Sequence, residues 1–81
     1  MKSLKEYTIG LCEDELNYHV NKSGCADEYH GDICVEIELL YRLGAEDSAT
    51  SYKEQYLDFI TKKGIEGLKK DFNKFWDTLV A

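Results

Sequence analysis

The 81-residue sequence contains no proline. Proline removes a backbone donor and clashes with the preceding turn, so it kinks or ends a helix. A chain without proline can therefore form long uninterrupted helices, and this absence favours helical structure. The length allows a single domain, residues 1–81, in which folding buries only about 60% of the surface of the unfolded chain.

Long apolar runs are also absent. No stretch approaches the roughly 18 apolar residues that a membrane span requires, and the first fifteen residues, MKSLKEYTIGLCEDE, lack the apolar run of a signal peptide. The three cysteines are odd in number, which indicates reduced thiols rather than a disulfide framework. We therefore expect a cytoplasmic protein with no membrane contact.

Catalytic motifs are missing as well. The segment Gly64-Ile65-Glu66-Gly67 is too short for a phosphate-binding loop and lacks its lysine–serine ending. No cysteine lies at an evident helix N-terminus beside a basic residue, the usual way to lower a thiol pKa. Carboxylates are plentiful, but no pattern separates an acid from a base. We expect a protein that is not an enzyme and has no cofactor.

The first half of the chain predicts two helices. Ser3-Leu4-Lys5-Glu6 has the spacing of a capping box, which predicts a helix from Leu4 to about Asn21, with Gly24 as its C-cap. Two apolar stripes compete for the core in this helix. One contains Leu4, Tyr7, Leu11 and Tyr18, and the other contains Ile9, Cys12, Leu16 and Val20.

Residues 32–43, DICVEIELLYRL, fit two interpretations. Apolar and polar residues largely alternate as in a strand, but Tyr29, Ile33, Ile37, Leu40 and Tyr41 also share one helical face that ends at Gly44. Helix is favoured, because a strand would need a partner that only residues 6–12 or 17–21 could supply.

The second half predicts a helical hairpin. Ser51-Tyr52-Lys53-Glu54 resembles another capping box, Gly64 ends the helix, and a second apolar stripe runs from Ile65 to Leu79. We therefore predict an all-α fold, a compact bundle of three to four helices ending in a helical hairpin, with a core around Phe59, Phe72, Phe75 and Trp76. The alternative is an α+β fold with a small sheet from residues 6–12 and 32–41 packed on the C-terminal helices.

The segment CADEYHGDIC, residues 25–34, raises the question of a metal site. Zinc takes four nitrogen or sulfur ligands, which Cys25, His30 and Cys34 could supply together with Cys12 or His19. No C-x-x-C pattern supports this set, and cysteine is often buried for packing alone. We expect no metal, and a small Cys/His metal-binding structural or regulatory domain remains the alternative function.

The acidic residues are concentrated in the middle of the chain. Residues 13–47 carry ten acids and two bases, a net charge of −8, although the whole chain has −6. On a helix, Glu28, Asp32 and Glu36 form a row about 6 Å apart, which can imitate a nucleic-acid strand. The net charge argues against direct binding of nucleic acid or an anionic membrane.

These patterns predict a small acidic protein that docks on a basic, possibly nucleic-acid-binding, surface of a partner protein and acts as an inhibitor. Its size, acidity and lack of chemistry are typical of immunity proteins and phage-encoded antagonists of defence complexes, although it shares no motif with them. Lysines near the C-terminus could also support a homo-oligomer. The predicted partner-binding residues are Glu13, Asp14, Glu15, Asp27, Glu28, Tyr29, Asp32, Glu36 and Glu38.

Overall fold

Four α-helices make up most of the protein in the computed structural model, which describes residues 2–81. A π-helical segment, Asn17–Lys22, continues the first helix, and a 3-10 turn, Ala26–Tyr29, leads into the second. No strand is present in residues 2–81, so the all-α prediction is confirmed and the small sheet is not formed. The helices are α1 (Leu4–Leu16), α2 (His30–Arg42), α3 (Glu46–Lys63) and α4 (Glu66–Val80).

Several helix ends lie where their capping residues predict. The N–H of Glu6 donates to the Ser3 hydroxyl at 3.2 Å, which caps α1. Gly24, Gly44 and Gly64 have φ angles of +74°, +92° and +78°. Side chains are strained in this left-handed region, so glycine is favoured at these three turns.

The predicted start of the third helix is wrong. Ser51 lies inside α3, where its hydroxyl accepts a hydrogen bond from the Gln55 amide at 3.0 Å. The helix begins at Glu46 instead, and its first turn carries two acids that interact favourably with the helix dipole. Ala49, in this additional turn, is fully buried, and its packing extends the helix beyond the apparent capping box.

The structure selects one of the two apolar stripes of α1 for the core. Cys12, Leu16 and Val20 are buried, and their spacing of four residues places them on one side of the helix. The other stripe remains at the surface, with side chains that are 48–81% exposed. Its members are Leu4, Tyr7, Leu11 and Tyr18.

The central core is formed mainly by α2 and α3. Tyr56 of α3 and Phe72 of α4 are fully buried and pack edge to face, with ring centroids 4.9 Å apart. Phe59, Phe75 and Trp76, predicted at the core centre, are only partly buried at its margin. The fully buried aliphatic side chains of the core include Leu16, Ile33, Ile37, Leu40 and Ile60.

The α3–α4 hairpin is confirmed. The two helices pack against each other across a short connection at Gly64 and Ile65. In residues 2–81, none of the helices combines the length and the apolar composition needed to cross a bilayer.

Replacing Phe72 by alanine tests the attachment of α4. Phe72 is the one fully buried side chain of that helix within the described chain, and loss of a buried ring costs about 3–5 kcal/mol. Urea denaturation should therefore show a loss in this range for Phe72→Ala. Phe75→Ala is the control, and it should cost clearly less because Phe75 is partly exposed. Equal losses for both variants would contradict the assignment of Phe72 as the anchor.

Candidate functional site

The bundle separates the acidic residues that the sequence predicted as one face. Three of them point away from the space between α1 and α2 and have partners elsewhere. Glu13 accepts a hydrogen bond from the Ser48 hydroxyl at 2.6 Å. Asp27 pairs with Lys63 at 2.7 Å, and Glu38 pairs with Arg42 at 2.7 Å. The hydrogen bond from Lys63 lowers the pKa of Asp27 below its usual range.

Four of the remaining acids, Asp14, Glu15, Asp32 and Glu36, meet between α1 and α2, whereas Glu28 lies in the 3-10 turn before α2. These helices pack side by side, and an open depression of about 540 Å³ lies between them. Three exposed carboxylates border it, and no basic side chain in residues 2–81 forms an ion pair with them. We call Asp14, Glu15 and Asp32 the acidic end. Tyr18, His19 and Glu36 complete the lining.

A second depression of about 380 Å³ continues the first along the same two helices. It shares Glu15, Asp32 and Glu36 with the first depression, so the two form one continuous groove, here called the α1–α2 groove. Its other lining includes three apolar side chains that are 48%, 60% and 41% exposed. These residues, Leu11, Val35 and Leu39, are the apolar end.

Glu36 lies at the floor of this groove and not on its surface. Its side chain is 9% exposed, and its Oε1 atom lies 3.1 Å from Nδ1 of His19. Burial, followed by a hydrogen bond with Glu15, raises the pKa of Glu36 to about 7, although His19 opposes the shift. The predicted row of Glu28, Asp32 and Glu36 is therefore wrong, because Glu28 lies in the 3-10 turn before α2 and Glu36 is buried. The sequence carried a signal for this burial, because Glu36 falls three residues after Ile33 on the apolar side of α2.

Aromatic rings hold the groove floor in position. The His19 imidazole stacks on Tyr29, with ring centroids 4.2 Å apart, and Tyr18 contacts Tyr29 edge-on at 6.4 Å. Tyr29, predicted as a partner-binding residue, is half-buried in this stack. Tyr18 and His19 both belong to the π-helical segment, and both line the acidic end of the groove.

A second polar cluster joins α2, α3 and α4 and was not predicted from the sequence. In the neutral His30 tautomer that fits both contacts, Nδ1 accepts from the Tyr56 hydroxyl at 2.7 Å and Nε2–H donates to Asp71 at 2.7 Å. The two partners of His30 lie 26 and 41 positions further along the chain. Sequence spacing within one helix cannot predict such distant contacts. The cluster fastens α4 to the bundle.

Cys34 lies beside this cluster, with Sγ 3.9 Å from Nε2 of His30. Burial, with a smaller contribution from the charge of Asp71, raises the pKa of this thiol to about 11. The thiol is protonated at neutral pH, whereas a cysteine nucleophile needs a lowered pKa. The arrangement is therefore that of a packed thiol.

The candidate metal ligands do not converge. Within residues 2–81, no three histidine, cysteine, aspartate or glutamate side chains are arranged to hold a cation. His19 and His30 are engaged with Glu36 and with the Tyr56–Asp71 pair. Cys12 is buried, and burial raises its thiol pKa.

Comparisons with protein-family models, curated proteins and solved structures found no match.

Replacing Glu36 by glutamine tests the buried carboxylate. The pKa of Glu36 is about 7 when folded and near 4.5 when unfolded, so the folded protein binds the proton more tightly. The stabilisation from that proton is fully present below pH 4.5 and is lost as pH rises through about 7. Because glutamine imitates the protonated side chain, Glu36→Gln should gain stability over the parent between these pH values, by roughly 2–3 kcal/mol at pH 8.

The control for this experiment is Glu28→Gln, which removes an exposed carboxylate from the 3-10 turn before α2. Its stability relative to the parent should change little with pH. Urea denaturation from pH 4 to pH 8 measures both variants. Parallel pH curves for Glu36→Gln and the parent would show that Glu36 is not perturbed by burial.

Replacing Tyr56 by phenylalanine tests the second cluster. This change leaves Nδ1 of His30 without its donor, and an unsatisfied buried polar group costs about 1–3 kcal/mol. Asp71→Asn is the control, because its amide oxygen still accepts from His30 at an exposed position, and it should change stability by less than about 0.5 kcal/mol. A neutral Tyr56→Phe variant would contradict the hydrogen-bonded cluster.

Proposed function

We propose that the protein is a small acidic, non-enzymatic binding protein that docks the α1–α2 groove on a basic surface of a partner protein. The acidic end carries the proposal. Asp14, Glu15 and Asp32 lie exposed around one depression, and no basic side chain in the described chain pairs with them. Exposed like charges disfavour one another, and a basic partner removes that cost.

The distribution of ion pairs supports this surface over the rest of the acidic segment. Lys63 pairs with Asp27 and Arg42 pairs with Glu38, so both carboxylates have a positive charge beside them. Glu28, Glu46 and Asp47 also lack an ion pair in the described residues, but Asp14, Glu15 and Asp32 are the unpaired acids that gather around one depression. Such a local field speeds encounter with a basic surface and selects among partners.

Aromatic residues beside the carboxylates also favour a docking role. Tyr18 is 50% exposed at the acidic end and contacts the half-buried Tyr29 ring. Tyrosine is enriched at protein interfaces because it combines a large apolar area with a polar tip.

An inhibitory role follows if the basic surface of the partner normally binds nucleic acid. The carboxylates of Asp14, Glu15 and Asp32 lie around one depression, and a nucleic-acid strand likewise presents closely spaced negative charges. The carboxylates would then occupy sites meant for phosphates. This is the mode of action of an antagonist of a nucleic-acid-binding complex.

Charge reversal at the groove tests the proposal. The variant Asp14→Lys/Glu15→Lys/Asp32→Lys reverses the three exposed carboxylates of the acidic end, none of which forms an ion pair with a basic side chain in residues 2–81. Glu36 is left unchanged, because its reversal would bury a lysine. The probe is labelled poly-L-lysine of about 20 residues, followed by fluorescence anisotropy at low and high salt. Groove reversal should weaken binding at least about tenfold at low salt, and added salt should weaken binding of the parent.

The matched control is Glu54→Lys/Glu66→Lys/Asp77→Lys, which reverses three exposed acids of α3 and α4. Its net charge equals that of the groove variant, so only the location of the change differs. The control should lose much less affinity for poly-L-lysine. If both variants lose the same affinity, the negative charge acts as a whole and the groove is a solvated surface.

A further inference from the structure

We infer that the partner inserts an amphipathic helix into the α1–α2 groove, with apolar residues over the apolar end and basic residues over the acidic end. This inference rests on the proposed function and names the chemistry of its partner. A basic surface without apolar groups would satisfy the carboxylates and leave Leu11, Val35 and Leu39 in water.

The apolar end of the groove exposes several hydrophobic side chains. Leu11 of α1 and Val35 and Leu39 of α2 line one depression while remaining 41–60% exposed. On α1 this surface is extended by Leu4 and Tyr7, which are exposed as well. Scattered exposed apolar side chains are ordinary, but several of them around one groove on two adjacent helices indicate a binding surface.

The carboxylates determine the charge of the occupant. Glu15 and Asp32 border both depressions, so an occupant of the apolar end also lies beside negative charge. A second copy of this chain, placed groove against groove, would bring a second set of carboxylates, Asp14, Glu15 and Asp32, into the same interface, and the groove lining contains no lysine or arginine to pair with them. That arrangement is repulsive, and a basic partner is favoured over self-association.

The spacing along α2 gives the shape of the occupant. Val35 and Leu39 are four residues apart, about 6 Å, and Asp32 lies about 10 Å from Leu39 along the axis. A helix matches this arrangement with two apolar anchors four residues apart and lysine or arginine one to two turns beyond them. The cleft between two packed helices suits such a segment, since helix-in-groove recognition uses anchors at i, i+3, i+4 and i+7.

The test uses three labelled synthetic peptides of about 18 residues, enough for several helical turns. The first has two leucines four residues apart in one half and lysines in the other half, in a helix-forming alanine background. The second has the same composition in scrambled order. The third replaces the leucines by alanine. Fluorescence anisotropy at low salt should show that the parent binds the first peptide at least about tenfold more tightly than the other two.

Two matched protein variants locate the binding site. Val35→Ser removes an apolar side chain from the groove, and Val80→Ser removes one from the end of α4, where Val80 is 41% exposed. Val35→Ser should weaken binding of the first peptide about fivefold to tenfold, with circular dichroism showing an unchanged fold. Val80→Ser should change it by less than about twofold.

The outcomes separate this inference from the proposed function. If the three peptides bind equally, and the triple charge reversal weakens all of them while Val35→Ser has no effect, the inference is wrong and the acidic docking surface remains. If the charge reversal has no effect on any peptide, the proposed function is wrong as well. A parent protein that dimerises in sedimentation analysis, and a Val35→Ser variant that does not, would assign the groove to a second copy.

Discussion

Each helix of this small bundle can bury one side, and α1 has apolar residues on two. The side with Cys12, Leu16 and Val20 enters the core, where Leu16 is fully buried. The other side therefore remains in water, because no part of residues 2–81 covers it. Most of the surface features that suggest a function follow from this limit. The exposed stripe of α1 supplies Leu11 and Tyr18, and the adjacent side of α2 supplies Val35 and Leu39.

The carboxylate at the groove floor links stability to the same surface. Glu36 occupies a position on α2 that packing would fill with an apolar side chain, and burial raises its pKa to about 7. His19 provides a partner at 3.1 Å, while Glu15 on the other wall raises the pKa further. The groove thus combines a buried acid with unpaired exposed acids, an arrangement that weakens the free protein. Binding sites commonly reduce the stability of the free protein in this way, because groups arranged to contact a partner are not arranged for maximal stability.

The sequence predicts this fold where the determining interactions are local. Ser3 and the glycines at the helix ends act within one turn, and the stripe around Phe72 is read from spacing alone. Ser51 shows where local prediction fails. Its apparent capping box lies inside α3, because the helix starts at Glu46 and Ala49 in its first turn is buried in the core. The choice between the two stripes of α1 also depends on tertiary packing.

The candidate site was predictable only in part for the same reason. Acidic residues in the middle of the chain are visible in the sequence, but their partners are not. Lys63 lies 36 residues from Asp27, and Asp71 lies 41 residues from His30. Spacing along a helix placed Asp32 at the surface correctly and placed Glu36 beside it incorrectly. A carboxylate three residues after one core position and four before another belongs to the buried side of the helix, and this rule separates Glu36 from Asp32.

The charges of α4 explain why the groove, and not the lysines of that helix, is the preferred docking surface. Lys69, Lys70 and Lys74 border a depression along α4, but Glu66 and Asp77 border it too, so its charge is mixed. This surface is complementary in sign to the acidic end of another copy only through its lysines. It offers no apolar side chain besides Ala81 for the apolar end, however, and contact between copies would leave Leu11, Val35 and Leu39 in water. A partner that covers both ends of the groove must carry positive charge and apolar side chains on one element, and an amphipathic helix meets both requirements.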